Sequence, residues 1–299
     1  MLSLRSIGPP VGGVLVVLAL LMFSDYGDQR VRAAEDLNLE ELPSDPTQKK
    51  IVLIAGTRNA KPGEHEYVAG CVLMRRLLRQ SSGIFPVISQ GWPQHPETLR
   101  GAASIVLFLT GGGEQPSIEH RAEMQQFVDA GVGMVHLHNV IDYPVEMGEQ
   151  VRGWLGGCYE PKFSQRAHWV TTHQNFPEHP VTRGVQPFTI DDGYLYKLRF
   201  LSEKPGITPV LHTLPPDKQL AGKAPDDEAL VCWCFDRPTH EGRSFVFTGG
   251  HLHRSWGEAG FRQLLINGIL WTAHVDLPAH GAPVVLEPTD LQLPAETAR

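Results

Sequence analysis

Ile51-Val-Leu-Ile-Ala55 and Ile105-Val-Leu-Phe-Leu109 are two short, wholly apolar runs rich in β-branched residues. Neither alternates polar with apolar side chains, a pattern typical of strands buried on both faces of a parallel sheet. Between them, Tyr67 to Gln80 carries apolar residues at helical spacing and is followed by the glycine terminator Ser81-Ser82-Gly83. The order strand, helix, strand predicts an α/β fold.

The same rhythm continues along the chain. Phe85–Ile88 is predicted as an edge strand, Pro116 opens a second helix that ends near Gly131, and Gly133–Leu137 is a fourth strand. Further strands are expected near 167–172, 207–213, 229–235 and 244–248, followed by a helix from Gly257 to Ala273. We therefore expect a flavodoxin-like, mostly parallel sheet sandwiched by helices, with a less regular, strand-rich second half.

The two ends of the chain have compositions that differ from the middle. Residues 1–34 contain an early Arg5, the uncharged apolar stretch Val11–Phe23 and small residues at Val31–Ala34, which is the pattern of a secretory signal peptide. We expect export to the periplasm with cleavage, or an uncleaved N-terminal anchor that faces the periplasm. Residues 35–48 are expected to form an acidic linker, 49–278 the domain, and 279–299 a loosely attached Pro-rich tail.

Composition and missing motifs exclude several classes of function. The formal net charge is −7 and no basic cluster is interleaved with aromatic residues, so nucleic acid is not an expected partner. The four cysteines form no CxxC pair, which argues against a zinc ribbon or a thioredoxin-like site. No GxGxxG, Walker or lipase-type GxSxG motif occurs, and no nucleotide cofactor is predicted.

Two His-x-His triplets are the strongest chemical signal. His136-Leu-His138 ends the fourth strand, and His251-Leu-His253 follows a Gly-Gly turn. Residues two apart on a strand share a face, so His136 and His138 are expected to point the same way. Imidazoles serve as general acids and bases and as metal ligands, and both alternatives stay open. No cofactor is predicted, because no carboxylate completes a familiar metal signature; a divalent metal held by His136, His138, His251 and His253 is the alternative.

Ligands of open α/β sheets collect at the carboxyl ends of the strands. The first loop carries His65, the third strand is followed by Gly111-Gly112-Gly113, and the fourth strand ends at His138. Glycine turns can present backbone N–H groups to developing negative charge. The residues expected to contact substrate on this argument are Gly112, Gly113, Gly250, His253 and Arg254.

Several of these segments together resemble the trehalose-utilisation (ThuA-like) family: Ile51–Ala55, Gly63–Glu66, Met134–His138, His179–Gly184, Asp191–Tyr194 and Phe247–His251. The resemblance spans about residues 49 to 275. It implies a class I glutamine-amidotransferase-like fold that lacks the catalytic cysteine of that class. His138, His251 and His65 match histidines of the family, and Asp191 and Tyr194 match an acid-acid-aromatic-tyrosine pattern, from which Gly193 departs.

The resemblance implies an exported enzyme of carbohydrate metabolism that acts on a disaccharide or keto-sugar as a hydrolase, lyase or isomerase. His138 and His251 are expected to exchange protons with the substrate, while His65 and Asp191 orient it. The alternatives are a non-catalytic sugar-binding module and a metal-dependent hydrolase. The expected partner is a small carbohydrate, with membrane contact only through an uncleaved N-terminus, and the sequence specifies no oligomeric state.

Overall fold

A computed structural model describes residues 37–215, 230–238 and 241–293 of the chain. The expected leader at 1–34 lies outside the described residues. Eleven strands are formed in these ranges: β1 (Lys49–Ala55), β2 (Ile84–Gln90), β3 (Ser104–Phe108), β4 (Gly133–Leu137), β5 (Gly157–Cys158), β6 (Gln165–His173), β7 (Phe188–Tyr196), β8 (Arg199–Phe200), β9 (Ile207–His212), β10 (Leu230–Asp236) and β11 (Arg243–Phe247).

Six α-helices connect or flank these strands within the same ranges: α1 (Tyr67–Leu78), α2 (Pro96–Leu99), α3 (Pro116–Glu119), α4 (Arg121–Asp129), α5 (Gly148–Leu155) and α6 (Ala259–Thr272). Short 3-10 turns occur at His138–Ile141, Val145–Met147, Pro180–Thr182 and His253–Gly257. None of the described helices has the length and apolar character needed to cross a bilayer. The single helix expected from Pro116 is divided at His120, whose ψ of 18° departs from helical geometry.

The central sheet has seven strands in the order β2-β1-β3-β4-β11-β10-β9. The first five are parallel, and β10 runs antiparallel to both of its neighbours. Strands β6 and β7 form a separate antiparallel pair, and so do β5 and β8. The mostly parallel α/β sheet with a strand-rich second half is confirmed.

Both faces of the sheet are covered. In β1, Leu53 packs in the core shared with α1 and α6, whereas Val52 packs in the core shared with α4 and α5. Both side chains are completely buried, which explains why the strand sequence is apolar without alternation. The four cysteines are buried free thiols, so the fold is held by apolar packing without a disulfide.

The segment expected as a solvated acidic linker contacts the edge of the sheet in part. Leu39 forms a parallel bridge with Ile88 of β2. The Glu40 carboxylate accepts hydrogen bonds from the backbone N–H groups of Gln94 and His95 and from the Thr98 hydroxyl. These donors lie around the start of α2, where a carboxylate satisfies free N–H groups. The ordered fold therefore begins before residue 49.

The described part of the Pro-rich tail also packs against the domain. Asp290 forms an ion pair with Arg76 of α1 at 2.6 Å. The Gln80 side chain exchanges two hydrogen bonds with the backbone of Val285, and Ala282 N–H donates to Asn267 of α6. The described part of this segment forms no helix or strand, so the side chains of Arg76, Gln80 and Asn267 hold it instead.

Candidate functional site

Three imidazoles converge at the carboxyl edge of the parallel strands. His65 lies in the loop after β1, His138 follows β4 directly and His251 follows β11. His65 Nε2 is 3.1 Å from His138 Nε2, and His251 Nδ1 is 3.2 Å from His138 Nε2. One nitrogen from each ring lies within 4.8 Å of the others, a spacing that could accommodate one metal ion. We call these three residues the histidine cluster.

Unusual backbone conformations build this cluster. His65 and His138 have φ angles of 51° and 61°, in the left-handed region that non-glycine residues seldom adopt. Such strain is concentrated at functional sites, where surrounding contacts hold it. At His138 the strand has just ended, so this side chain no longer follows the alternation of β4.

His136 consequently does not share a direction with His138, and the expected same-face pair is wrong. His136 still belongs to β4, is completely buried, and lies 3.0 Å from the Tyr143 hydroxyl through its Nε2 atom. Tyr143 packs in the core on the α4 and α5 side of the sheet. The four-histidine metal set is therefore not brought together; His65 completes a three-histidine group instead.

Hydrogen bonds fix the protonated nitrogen of two rings. His138 Nδ1 is 3.0 Å from the carbonyl oxygen of Thr248, which can only accept, so this nitrogen carries the proton. His65 Nδ1 is 2.6 Å from Asn59 Oδ1, and Asn139 Nδ2 is 3.2 Å from His65 Nε2. In both neutral rings Nδ1 is the donor and Nε2 carries the lone pair.

Burial keeps the cluster uncharged at neutral pH. Desolvation lowers the pKa of His138 well below its ordinary value, and the neighbouring His65 and His251 lower it further. Desolvation also lowers the pKa of His65, and it lowers that of His251 to about 4. The site therefore presents imidazole lone pairs rather than imidazolium protons.

A completely buried aspartate, Asp192, positions His251. Its carboxylate accepts hydrogen bonds from the N–H groups of Gly193, Gly250, His251 and Leu252 and from the Ser255 hydroxyl. Burial raises the pKa of Asp192 to about 6 against the opposing effect of these bonds, so the group remains ionised at neutral pH. The sequence resemblance predicts a role for the neighbouring Asp191, whereas alternation along β7 identifies Asp192 as the inward residue.

Four residues expected to contact substrate lie outside the histidine cluster. Tyr194 is completely buried, and its hydroxyl lies 3.4 Å from His173 Nε2, within the core and away from the cluster. Asp191 and Arg254 form an exposed ion pair at 2.7 Å. His253 is buried and donates its backbone N–H to Gly63 O at 2.9 Å.

The glycine turns shape the site, but two of their backbone N–H groups are already hydrogen-bonded within the protein. Gly112 N–H is bonded to Asp142 O at 2.7 Å, and Gly250 N–H is bonded to Asp192 Oδ2 at 3.0 Å. Both donors are satisfied within the protein, which corrects the expectation that they stabilise charge on a substrate. At Gly111 a Cβ atom would lie 1.9 Å from Asn139 O, so glycine permits close contact with the turn that carries His138. Gly113 is exposed at the rim of the same loop.

His168, absent from the sequence interpretation, adds a fourth imidazole at the exposed side of the cluster. Its ring makes a T-shaped contact with His251 at 4.4 Å between centroids. It pairs with Gly193 across the β6/β7 ladder, where a Cβ atom would lie 2.9 Å from His168 Nε2. An aromatic ring from β6 therefore fills the space beside Gly193, the position at which the sequence departs from the resembled pattern.

A cavity of about 390 Å³ adjoins the cluster and is lined by Pro62, Gly63, Glu64, Leu252, His253, Arg254, Leu291 and Leu293. Glu64 connects this cavity to the histidine cluster, because it lines the cavity and its Oε2 atom lies 3.7 Å from His251 Nε2. His253 Nδ1 is buried without a hydrogen-bond partner among the described residues. The volume is in the range of small-molecule sites.

Two solved structures of ThuA-like proteins have a similar fold. A putative ThuA-like protein from Bacteroides uniformis is 15% identical, with a TM-score of 0.55 over 78% of this chain and 94% of its own. A second one, from Parabacteroides merdae, is 18% identical, with a TM-score of 0.53 over 83% of this chain and all of its own. A glutaminase domain of Trypanosoma brucei CTPS with bound acivicin is 10% identical, with a TM-score of 0.44 over 80% of this chain and all of its own.

No curated protein matches the chain in sequence. The family model described as "ThuA: Trehalose utilisation" matches residues 51–272, which include every member of the histidine cluster. The family description indicates a carbohydrate-related role. The resemblance found in the sequence is confirmed, and the chain belongs to the ThuA family.

Proposed function

We propose that the protein is an enzyme of carbohydrate metabolism that acts on a disaccharide or keto-sugar at the histidine cluster. The observation that carries this proposal is the convergence of His65, His138 and His251 at 3.1 and 3.2 Å on the carboxyl edge of the sheet. Burial opposes protonation of all three rings, and perturbed titratable groups collected in one place are typical of reaction centres. His65 and His138 also have left-handed backbone conformations, and strain of this kind is concentrated at functional sites.

The charges around the cluster suit a neutral, hydroxyl-rich ligand. Arg254 is paired with Asp191, and Arg166 is paired with Asp142, each at 2.7 Å. A sugar needs donors and acceptors together, whereas an anionic substrate needs unpaired positive charge. The family description points to the same chemical class.

The neighbouring cavity offers room for a second sugar ring. Glu64 lines it and also approaches His251 through its carboxylate, and Arg254 adds a charged side chain to its wall. A disaccharide with one ring at the cluster and one in this cavity would place its glycosidic oxygen near Glu64. We therefore favour disaccharides over single sugars.

Turnover tests this proposal directly. Purified protein is incubated with a panel of disaccharides and their keto derivatives, and the products are identified by mass spectrometry. We expect turnover of at least one member and a loss of about 100-fold or more in His138→Gln, because a positioned histidine contributes that much to catalysis. The control is His173→Gln, which changes a buried histidine outside the cluster.

Two results would contradict the enzyme. Binding of panel members without turnover, with affinity unchanged in His138→Gln, would identify a non-catalytic sugar-binding module. Absence of both binding and turnover would remove carbohydrate as the substrate class. We also propose that the protein is exported, on the strength of residues 1–34, and cell fractionation of the full chain decides this point.

A further inference from the structure

With the Asn59 and Asn139 amides oriented as they are, the contact between His65 and His138 is not an ordinary hydrogen bond. A neutral imidazole has one N–H, and in both rings it is directed away from the contact, toward Asn59 Oδ1 and Thr248 O. The two Nε2 atoms nevertheless face each other at 3.1 Å. Two lone pairs at this distance repel each other unless an electrophile lies between them.

His251 relieves only one of the two short contacts. Its Nδ1 atom could donate a proton to His138 Nε2 at 3.2 Å. The contact between His65 Nε2 and His138 Nε2 would still lack a proton, because Asn139 Nδ2 is also directed at His65 Nε2 and marks that nitrogen as an acceptor. The lone pair on His65 is thus assigned by two independent contacts, one at each nitrogen of the ring.

We infer that His65 Nε2, His138 Nε2 and His251 Nδ1 bind one divalent transition-metal ion. Zinc–imidazole bonds of about 2.0–2.1 Å at tetrahedral angles place two ligand nitrogens about 3.3 Å apart, close to the two short separations in the cluster. Three histidines with an open fourth position form the ligand set of a catalytic zinc site. The outer hydrogen bonds to a backbone carbonyl and a side-chain amide are of the kind that fix the tautomer of metal-binding histidines.

A shared proton explains the same contacts less well. It would create an imidazolium among buried rings, and the Glu64 carboxylate stops 3.7 Å from His251 Nε2, beyond hydrogen-bond distance. A metal ion instead uses all three nitrogens at once. The purely imidazole donor set selects zinc, iron, cobalt, nickel or copper over magnesium and calcium, which prefer oxygen.

The ion would give the proposed enzyme its electrophile. A bound divalent metal polarises a carbonyl or hydroxyl oxygen of a substrate, and this is the chemistry that a keto-sugar or an activated water requires. This role rests on the proposed function, whereas the presence of the ion rests only on the geometry of the histidines. The experiment therefore measures the metal first and activity separately.

Metal content and zinc affinity test the inference. Full-length protein purified without chelator is analysed for bound elements, and chelator-treated protein is titrated with Zn²⁺ in a calorimeter. We expect one equivalent per chain, a rise in melting temperature with zinc, and a loss of affinity of about 100-fold or more in His138→Gln and His65→Gln. His65 is only half-buried, so His65→Gln keeps the test informative if the other variant folds poorly.

The control is His173→Gln, which keeps the three ligands and is expected to bind zinc as the unchanged protein does. Absence of binding for zinc, iron, manganese, cobalt, nickel and copper by the folded protein would overturn the inference. Equal zinc binding by the two cluster variants would also overturn it, because the ion would then lie elsewhere. Metal binding without sugar turnover would refute the proposed function alone, and full turnover by metal-free protein would refute the catalytic role of the ion while leaving the metal site to be decided by the binding measurements.

Discussion

The two His-x-His triplets are alike in sequence, and in each of them one histidine joins the cluster while the other packs in the protein. His138 and His251 meet at 3.2 Å, whereas His136 is bonded to Tyr143 and His253 lies on the wall of the neighbouring cavity. The difference comes from the backbone: β4 ends at Leu137 and the next residue turns into the left-handed region. Residue type alone does not decide which histidine is available for chemistry.

Two further pairs of neighbours divide in the same way. Asp192 is buried beneath the turn that carries His251, while Asp191 forms an exposed ion pair. Gly111 touches the turn that carries His138, while Gly113 has open space around it. At the carboxyl edge of the sheet, a residue that supports the site thus lies near a residue of the same type that does not. In each pair, substitution of the second residue is a matched control for substitution of the first.

Asp192→Asn should produce the largest loss of stability. An amide has one oxygen where the carboxylate has two, and its NH₂ group would face backbone N–H donors that now lack an acceptor. We expect the free energy of unfolding to fall by about 3 kcal/mol, the upper end of the cost of leaving a buried backbone donor without an acceptor. Urea denaturation at neutral pH measures it.

Asp191→Asn is the matched control for that variant. It weakens only the exposed ion pair with Arg254, so the free energy of unfolding should change by less than about 1 kcal/mol. Equal effects of the two substitutions would mean that Asp192 does not hold the His251 turn, and the contrast drawn between the two aspartates would fail.

Gly111→Ala should have the next largest effect. The added Cβ would lie 1.9 Å from Asn139 O, a backbone atom that cannot move without displacing the His138–Ile141 turn. We expect a loss of about 2–3 kcal/mol in the free energy of unfolding, together with weaker zinc binding. Gly113→Ala, with nothing within 4 Å, should stay within about 0.5 kcal/mol of the unchanged protein. A site that tolerates both substitutions equally would not depend on the close approach at Gly111.

The sequence predicted much of the framework and only part of the site. Apolar runs such as Ile51–Ala55 and Ile105–Leu109 predict buried parallel strands. Because ligands of open α/β sheets bind at the carboxyl ends of the strands, the site is then expected in the loops after them. The position of His138 followed from the end of its strand. Its direction did not, because a left-handed φ at a histidine depends on surrounding contacts that no local pattern specifies.

Asp192 and His168 illustrate two different limits. Phe188, Ile190 and Tyr194 are inward residues of β7, so period-two alternation already places Asp192 inward and Asp191 outward. The sequence alone therefore contains the signal that distinguishes the two aspartates. His168 reaches the cluster through the β6/β7 register, a non-local pairing that the spacing of residues along one strand cannot supply.

The smallest expected effect is on the pH dependence of stability and comes from His173, a buried histidine outside the cluster. Burial lowers the pKa of His173 to about 4, so the folded protein keeps this ring neutral while the unfolded chain binds a proton near pH 6.5. This contribution to stability is complete above pH 6.5 and is lost as the pH falls toward 4. Between pH 7 and pH 5 the loss should be about 2 kcal/mol. His173→Gln, which cannot titrate, should reduce the acid-induced loss of stability by that amount in urea denaturation at the two pH values.

An unchanged pH dependence would mean that His173 is protonated as readily in the folded as in the unfolded chain. Burial would then not keep His173 neutral, and the contrast drawn between this packing histidine and the histidine cluster would fail.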